Sequence, residues 1–223
     1  MAVDLDVLYE DNHIIVVVKK EGILSQGDST CEDSMIEIIK DYLKIKYEKP
    51  GNVFVGLVHR LDRRVSGVMV FAKTSKAASR LNDAIRNHLF GKKYVAIVSG
   101  YLTGSSKLVN KLEKIDKQAV ETINGKESIL EYKVVENFKI NNKDFSVLDI
   151  NLITGRYNQI RKQLSLINHP IVNDYKYGYS GENIDDAFGL RCYEISFPHP
   201  ITKEILTFKS NFENIWKEKG AIL

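Results

Sequence analysis

The chain has 223 residues, 43% of them apolar, which is enough to bury the core of one large domain or two small ones. This composition excludes a disordered protein, and the lack of an uncharged apolar run of about 18 residues excludes a membrane-spanning helix. The formal charge of +3 permits a polyanionic partner without requiring one. The N-terminus lacks the basic start and apolar stretch of a secretion signal, so a soluble, cytoplasmic protein is expected.

The first hundred residues predict strands interrupted by two helices. The first helix has a capping box at Ser34 and Glu37, and the second has Ser75 as its expected N-cap and Gly91 as its expected end. The elements predicted here, in chain order, are a strand at 13–20, a helix that stops by residue 49, strands at 53–58 and 65–73, a helix at 75–90 and a strand at 93–100.

The remaining residues add further strands and a third helix. The dipeptide Asn124-Gly125 predicts a hairpin turn. In chain order the predictions are a lysine-rich peripheral meander at 101–144, a half-buried strand at 145–155, a helix at 157–167, a hairpin at 192–209 and a short helix at 211–219. Strands outnumber helices and often follow one another directly. This pattern favours an α+β fold with a mixed, largely antiparallel central sheet and flanking helices, in a single domain over residues 1–223.

The usual signatures of cofactor and metal chemistry are missing. Neither a Gly-x-Gly-x-x-Gly nor a P-loop pattern is present, and both Gly-x-Ser-x-Gly and His-Glu-x-x-His are absent. The two cysteines, Cys31 and Cys192, are far apart and have no ligand spacing around them, which disfavours a disulfide framework and a zinc site. No cofactor and no metal are therefore expected.

One charged segment lies between two apolar runs and is the first candidate for chemistry. Around Asp62 it places His59, Arg60, Arg63 and Arg64 within six residues. Guanidiniums stabilise a nearby carboxylate in its ionised form, so Asp62 is a candidate nucleophile or base. Taken alone, the segment favours the alternative, a structural or surface ion pair in a charged turn, because such pairs are common and weak.

Two more residues have both a functional and a structural interpretation. Tyr94 stands at the head of an apolar strand, where a tyrosine usually packs its ring in a sheet. Arg161 stands on the third predicted helix, where an arginine usually keeps its head in water. Taken one at a time, these residues do not establish a site.

Their order along the chain resembles the RluA-type RNA pseudouridine synthases. The segments near the two ends, residues 8–28 and 190–200, are similar to that family's outer motifs, so the resemblance extends from about residue 7 to residue 208. The inner motifs that carry it are His59-Arg60-Leu61-Asp62 with Ser66-Gly67, Lys93-Tyr94, Thr154-Gly155-Arg156 with Gln159-Ile160-Arg161, and His169-Pro170.

The resemblance implies a catalytic cleft and a role for each matching residue. Asp62 would act at C1′ of the target uridine, as a nucleophile or by stabilising charge. Tyr94 would lie against the uracil and accept a proton, and Arg161 would pair with Asp62. Arg60 would be associated with the gap that the extruded nucleotide leaves in the RNA stack. The residues expected on the RNA-binding side are His59, Arg60, Arg156, Gln159 and Ile160.

The resemblance also implies the partner and the reaction. It predicts isomerisation of uridine to pseudouridine in ribosomal or transfer RNA by a monomer that needs neither metal nor membrane. The chain departs from the family pattern at Val65, where threonine is usual, and at Asn158 and Gln163, which take frequent histidine positions. These changes are expected to affect the RNA target more than the reaction. Because the first motif begins near residue 7, no RNA-binding domain is expected before the catalytic one.

Two other functions remain open. One is a catalytically idle RNA-binding or folding factor that retains the cleft, against which the intact set of Asp62, Tyr94 and Arg161 argues. The other is a nucleosidase or glycosidase. Those enzymes usually need a second carboxylate as acid or base, and the sequence offers Asp62 no obvious partner of this kind.

Overall fold

The computed structural model describes residues 5–27, 33–184 and 186–210, and these residues form two compact units. The first unit comprises the described residues up to Gly91 together with Glu194–Ser210, and the second comprises those of Lys92–Tyr193. The elements, in chain order, are β1 (Asp6–Glu10), β2 (Ile14–Lys19), α1 (Met35–Lys46), β3 (Gly56–Leu57), β4 (Ser66–Ala72), α2 (Ser75–Arg86), β5 (Gly91–Ser99), β6 (Ser105–Ile115), β7 (Gln118–Glu121), β8 (Lys126–Ile140), β9 (Lys143–Leu152), α3 (Gln159–Leu166), a 3₁₀ turn (Tyr175–Tyr177), β10 (Leu190–Pro198) and β11 (Ile205–Lys209). The single catalytic domain over residues 1–223 stays a prediction.

Strands β2 and β4 are the centre of the first unit. β2 pairs with β1 and β4, antiparallel in both cases. Residues 14–17 of β2 and 68–72 of β4 are completely buried. Both faces of these strands are therefore covered, which is why their sequences are continuous apolar runs rather than alternating ones. The predicted strand at 53–58 is shorter than expected, because only Gly56 and Leu57 pair with β4.

Side-chain caps fix the first turns of α1 and α2. The Ser34 hydroxyl accepts a hydrogen bond from the Glu37 N–H at 3.5 Å, so the predicted start of α1 is confirmed. The predicted N-cap of α2 is wrong by one residue, because Thr74 has the extended backbone of a cap and accepts from Ala77 N–H at 3.1 Å. The predicted end of α2 is also wrong. The helix stops at Arg86, before His88 adopts a left-handed backbone, and Gly91 opens β5.

The second unit is an antiparallel sheet in the order β5–β9–β8–β6–β7. The predicted meander thus consists of β6, β7 and β8, and β6 lies between the other two. Gly125 N–H donates to the Thr122 carbonyl at 3.1 Å, so a tight turn is present at Asn124-Gly125. The predicted hairpin is wrong, because the strands that the turn joins, β7 and β8, pair with opposite edges of β6. Helix α3 contacts β6 and β7, with Ile160 and Leu164 buried.

The C-terminal hairpin is confirmed, because Glu194–Pro198 of β10 pairs with β11 in antiparallel register. The predicted helix at 211–219 and Cys31 lie outside the described residues, whereas Cys192 is buried. Within the described ranges, no helix combines the length and apolarity needed to cross a membrane.

Candidate active site

Asp62 lies at the first position of a tight turn between β3 and β4. The Val65 N–H donates to the Asp62 carbonyl at 2.9 Å and closes the turn, for which aspartate is a favoured first residue. The side chain of Asp62 is partly exposed, whereas its neighbour Leu61 is buried. The Ser25 hydroxyl accepts from Leu61 N–H at 3.0 Å and donates to Leu61 O at 2.6 Å. Asp62 is therefore an accessible carboxylate on a fixed backbone.

Lys19 fixes the other side of this turn. Its side chain is completely buried at the end of β2, and its ammonium donates to the carbonyls of Ile23 at 2.7 Å, Arg63 at 3.0 Å and Lys20 at 3.1 Å. Burial lowers the pKa of Lys19 from 10.5 to about 8, and the carboxylates of Glu21 and Asp62 oppose this shift. The ammonium thus ties the turn of Asp62 to the loop that follows β2.

Replacing Lys19 with methionine should lower the free energy of unfolding by about 2 to 4 kcal/mol, because buried carbonyls lose their donor. Between pH about 8 and 10.5 the folded wild type binds fewer protons at Lys19 than the unfolded chain does. Its stability should therefore rise with pH in this window relative to the variant. Urea unfolding of both proteins at pH 7 and pH 10 measures the difference.

The exposed neighbour provides the control, since Lys20→Met should change stability by less than about 0.5 kcal/mol. A difference between wild type and Lys19→Met that shrinks at pH 10 would contradict this assignment.

The other residues of the charged segment have different environments. The His59 side chain is buried, its Nε2 accepts from Val70 N–H at 3.2 Å, and its ring lies 5.2 Å from that of Phe90. This is the environment of a core histidine, so we do not include His59 among the proposed RNA contacts. Arg60 and Arg63 are exposed, and the Arg63 Nε donates to the Gly22 carbonyl at 3.0 Å.

In the second unit, Tyr94 lies near the start of β5. It is 5% exposed and pairs across the sheet with Ile150 of β9, which itself pairs with Tyr132 of β8. Tyr94 is thus part of a row of apolar and aromatic residues on one face of the sheet. The ring is held by packing in this row, and the role of Tyr94 as a proton acceptor stays a prediction.

Buried side-chain amides determine the start of α3. Gln159 is 2% exposed, and its Oε1 accepts from Thr154 Oγ1 at 2.9 Å and from Arg156 N–H at 3.0 Å. Its amide group donates to Gln163, whose own amide group donates to Ser128 O and Asn110 Oδ1. Gln159 and Ile160, which the sequence placed on the RNA side, are both buried and stabilise this turn. Arg156 is exposed.

Arg161 forms a buried ion pair with Asp174. Its Nε donates to Oδ2 at 2.7 Å and its Nη2 to Oδ1 at 2.8 Å, so the contact is two-pronged. The side chains are 13% and 1% exposed. The guanidinium carbon also lies 4.9 Å from the ring centre of Tyr177 and 5.2 Å from that of Phe188. Arg161 is therefore not the solvated helix arginine of the structural interpretation.

The predicted residues are distributed over both units. His59, Arg60 and Asp62 belong to the first unit, and the second contains Tyr94 and Arg161 together with Arg156, Gln159 and Ile160. The pairing of Asp62 with Arg161 stays a prediction.

Sequence reasoning missed three supporting residues, namely Ser25, Lys19 and Asp174. Of these only Lys19 carried a signal, as a lysine that directly ends a run of buried β-branched residues. Within the parts of the chain that the structure describes, no three histidine, cysteine, aspartate or glutamate side chains cluster as metal ligands would.

Comparison with known sequences relates this arrangement to one family. The model of the RNA pseudouridylate synthase family matches residues 13–166, a range that includes Asp62, Tyr94 and Arg161. Ribosomal large subunit pseudouridine synthase C of Buchnera aphidicola is 32% identical, with 95% of this chain and 68% of the relative covered. Ribosomal large subunit pseudouridine synthase D of Vibrio parahaemolyticus is 31% identical, with 92% and 66% covered. The chain thus spans about two thirds of the length of these relatives.

Solved structures support the fold independently. Human RNA pseudouridylate synthase domain containing 4 superposes with a TM-score of 0.77 at 18% identity and covers 96% of this chain and 91% of its own. Human RNA pseudouridylate synthase domain containing 1 gives 0.78 at 19% identity, with 97% and 87% covered. The predicted α+β fold with a largely antiparallel sheet is confirmed.

Proposed function

Because the chain belongs to the RNA pseudouridylate synthase family, we propose that it isomerises specific uridines in structured RNA to pseudouridine, with Asp62 acting at C1′ of the target nucleotide. The family match carries this proposal, since it spans the segments of all three predicted catalytic residues. The accessible carboxylate of Asp62 on its doubly anchored turn supports it.

The reaction needs few chemical groups because it is balanced within the substrate. The bond between C1′ and N1 breaks, the base turns, and a bond between C1′ and C5 forms. A proton leaves C5 and N1 gains one, so there is no net oxidation or reduction. The chemistry calls for a charge near the sugar carbon and an acceptor for the C5 proton.

Asp62 would supply that charge. Positive character develops on the sugar as the glycosidic bond weakens, and a fixed anion aimed at it stabilises the transition state more than a mobile one in water does. The same carboxylate can instead form a bond to C1′, and both routes require it to be ionised. Lys19 and Ser25 hold its backbone in place before the substrate arrives.

Tyr94 and Arg161 would complete the site. Tyr94 would lie against the uracil and accept the proton from C5. Arg161 would pair with Asp62 and keep it oriented and charged, and the orientation of Arg161 is itself fixed by Asp174. A uridine inside a helix cannot present C1′ to these groups, so the nucleotide must first leave its stack, at a cost of a few kcal/mol. Arg60, exposed beside Asp62, is suited to the resulting gap.

Large-subunit ribosomal RNA is the substrate we propose first, because the named relatives are synthases of the ribosomal large subunit. Transfer RNA is the second choice. We further propose that the protein acts as a cytoplasmic monomer.

Two measurements test the proposal. Mapping of pseudouridine in ribosomal and transfer RNA from cells with and without the gene should show at least one position that loses the modification completely. Purified protein should then restore it in an unmodified transcript without added cofactor. An idle RNA-binding factor would leave the map unchanged, and a nucleosidase would release free uracil. Either result would overturn the proposal.

A further inference from the structure

A second surface feature lies in the second unit, where a pocket of about 250 Å³ opens between the turn that joins β7 to β8 and the segment that precedes α3. Its lining residues include the cationic Lys114, Lys126 and Arg156, the acidic Glu113, and Tyr157. Lys114 and Lys126 lie on one face of the sheet, since Leu112, two residues from Lys114, is paired directly with Lys126.

The backbone and side chains around the pocket are fixed. Tyr157 donates its hydroxyl hydrogen to the Lys117 carbonyl at 3.1 Å, and the Lys114 ammonium lies 4.7 Å from the centre of its ring. The Arg156 Nε donates to the Glu127 carbonyl at 3.1 Å. Gly125 closes the floor, because a Cβ there would come within 2.6 Å of the Lys111 backbone. The pocket is thus formed by the fold and not by loose surface chains.

Cationic residues outnumber acidic ones in the lining of the pocket by three to one, and the acidic residue, Glu113, accepts a hydrogen bond from Thr122 Oγ1 at 3.2 Å. Within the described ranges, none of Lys114, Lys126 and Arg156 forms an ion pair with a carboxylate. On the opposite face of the same strands, by contrast, Lys107 lies 3.6 Å from Glu131. Cations brought together with too little counter-charge repel one another, and a bound anion removes this repulsion.

We propose that this pocket binds a phosphodiester group of the RNA substrate, outside the reacting nucleotide. This inference rests on the proposed function. The volume is below the range of about 300 to 1,000 Å³ that encloses drug-sized ligands, and it suits a phosphate on an extended backbone. Stacking of a base is not favoured, because Lys114 already covers the Tyr157 ring. Contacts of lysine and arginine to phosphate position RNA without reading its sequence.

The test measures the binding of a fluorescein-labelled single-stranded oligouridylate at several salt concentrations. The double variant Lys114→Gln and Lys126→Gln should lose the contact to the one phosphate in the pocket, so the slope of log K against log salt should become shallower by about 0.7. Affinity at low salt should fall about tenfold. Arginine at both positions should restore the slope, because it keeps the charges.

The control variant removes the same amount of positive charge from the other face of the sheet. Lys111→Gln with Lys133→Gln removes two exposed lysines from β6 and β8, so the net charge matches, and the slope should stay within about 0.3 of wild type. Equal slopes for the two double variants would overturn the inference. Thermal unfolding of all variants checks folding.

The outcome is separable from that of the proposed function. Binding is measured without turnover. A protein that forms pseudouridine but shows equal slopes would therefore overturn only the inference that the pocket binds phosphate. A protein with the expected slopes that forms no pseudouridine would overturn only the proposed reaction.

Discussion

Replacing Asp62 with asparagine should reduce the formation of pseudouridine by at least about a thousandfold and leave RNA binding nearly unchanged. The amide has the shape of the carboxylate but carries no charge, so it can neither bond to C1′ nor stabilise positive charge there. The fold should tolerate the change, because asparagine is also favoured at the first position of the turn and the hydrogen bond from Val65 goes to the backbone. Single-turnover release of tritium from C5-labelled uridine in RNA measures the step at which C5 bonds to the sugar.

The matched control for this variant is Arg64→Gln. Arg64 stands in the same turn, is exposed, and has its Nε 3.7 Å from a carboxylate oxygen of Glu21, a distance typical of weak surface pairs. At saturating RNA this variant should release tritium at the wild-type rate. If Asp62→Asn kept its turnover while Arg64→Gln lost it, the carboxylate would have no chemical role.

The central strands of each unit could be predicted from the sequence, because the hydrophobic pattern that identifies a buried strand lies within the strand itself. Continuous β-branched runs identify β2 and β4, and alternation identifies β9. The edge strand β1 was not predicted, because its residues are half-exposed and its pairing with β2 is a tertiary property. The ends of helices were harder to predict. Thr74 and Ser75 are both favoured N-cap residues, and only the extended backbone at Thr74 shows that this residue caps α2.

The supporting residues of the site were hidden for a similar reason. Asp62, Tyr94 and Arg161 stand in motifs, and the family match confirms the family that these motifs indicated. The catalytic roles of the three residues stay predictions. The two groups that fix them, Lys19 and Asp174, act across separations of 44 residues and 13 residues. The position of Lys19 at the end of a β-branched run is a signal in the sequence, but the spacing does not indicate which carbonyls the lysine will contact or which aspartate an arginine will contact.

Asp174 should matter almost as much as the arginine it holds. Replacing it with asparagine leaves the Arg161 charge without its buried partner, which should lower the free energy of unfolding by about 3 to 5 kcal/mol. The guanidinium also loses its fixed orientation, so single-turnover formation of pseudouridine in the folded fraction should fall about a hundredfold. Arg161→Lys should have a similar effect, because an ammonium cannot make the two-pronged contact.

A double-mutant cycle separates orientation from stability. If Asp174 acts through Arg161, adding Asp174→Asn to Arg161→Lys should reduce the single-turnover rate by much less than it does in the wild type. Asp144→Asn is the control, because its partner Lys139 is an exposed residue 3.4 Å away and the pair should contribute less than about 1 kcal/mol. Additive effects of the two substitutions on the rate would mean that Asp174 stabilises the unit without orienting the guanidinium. Because the rate is measured only on folded protein, lost stability alone cannot produce the expected coupling.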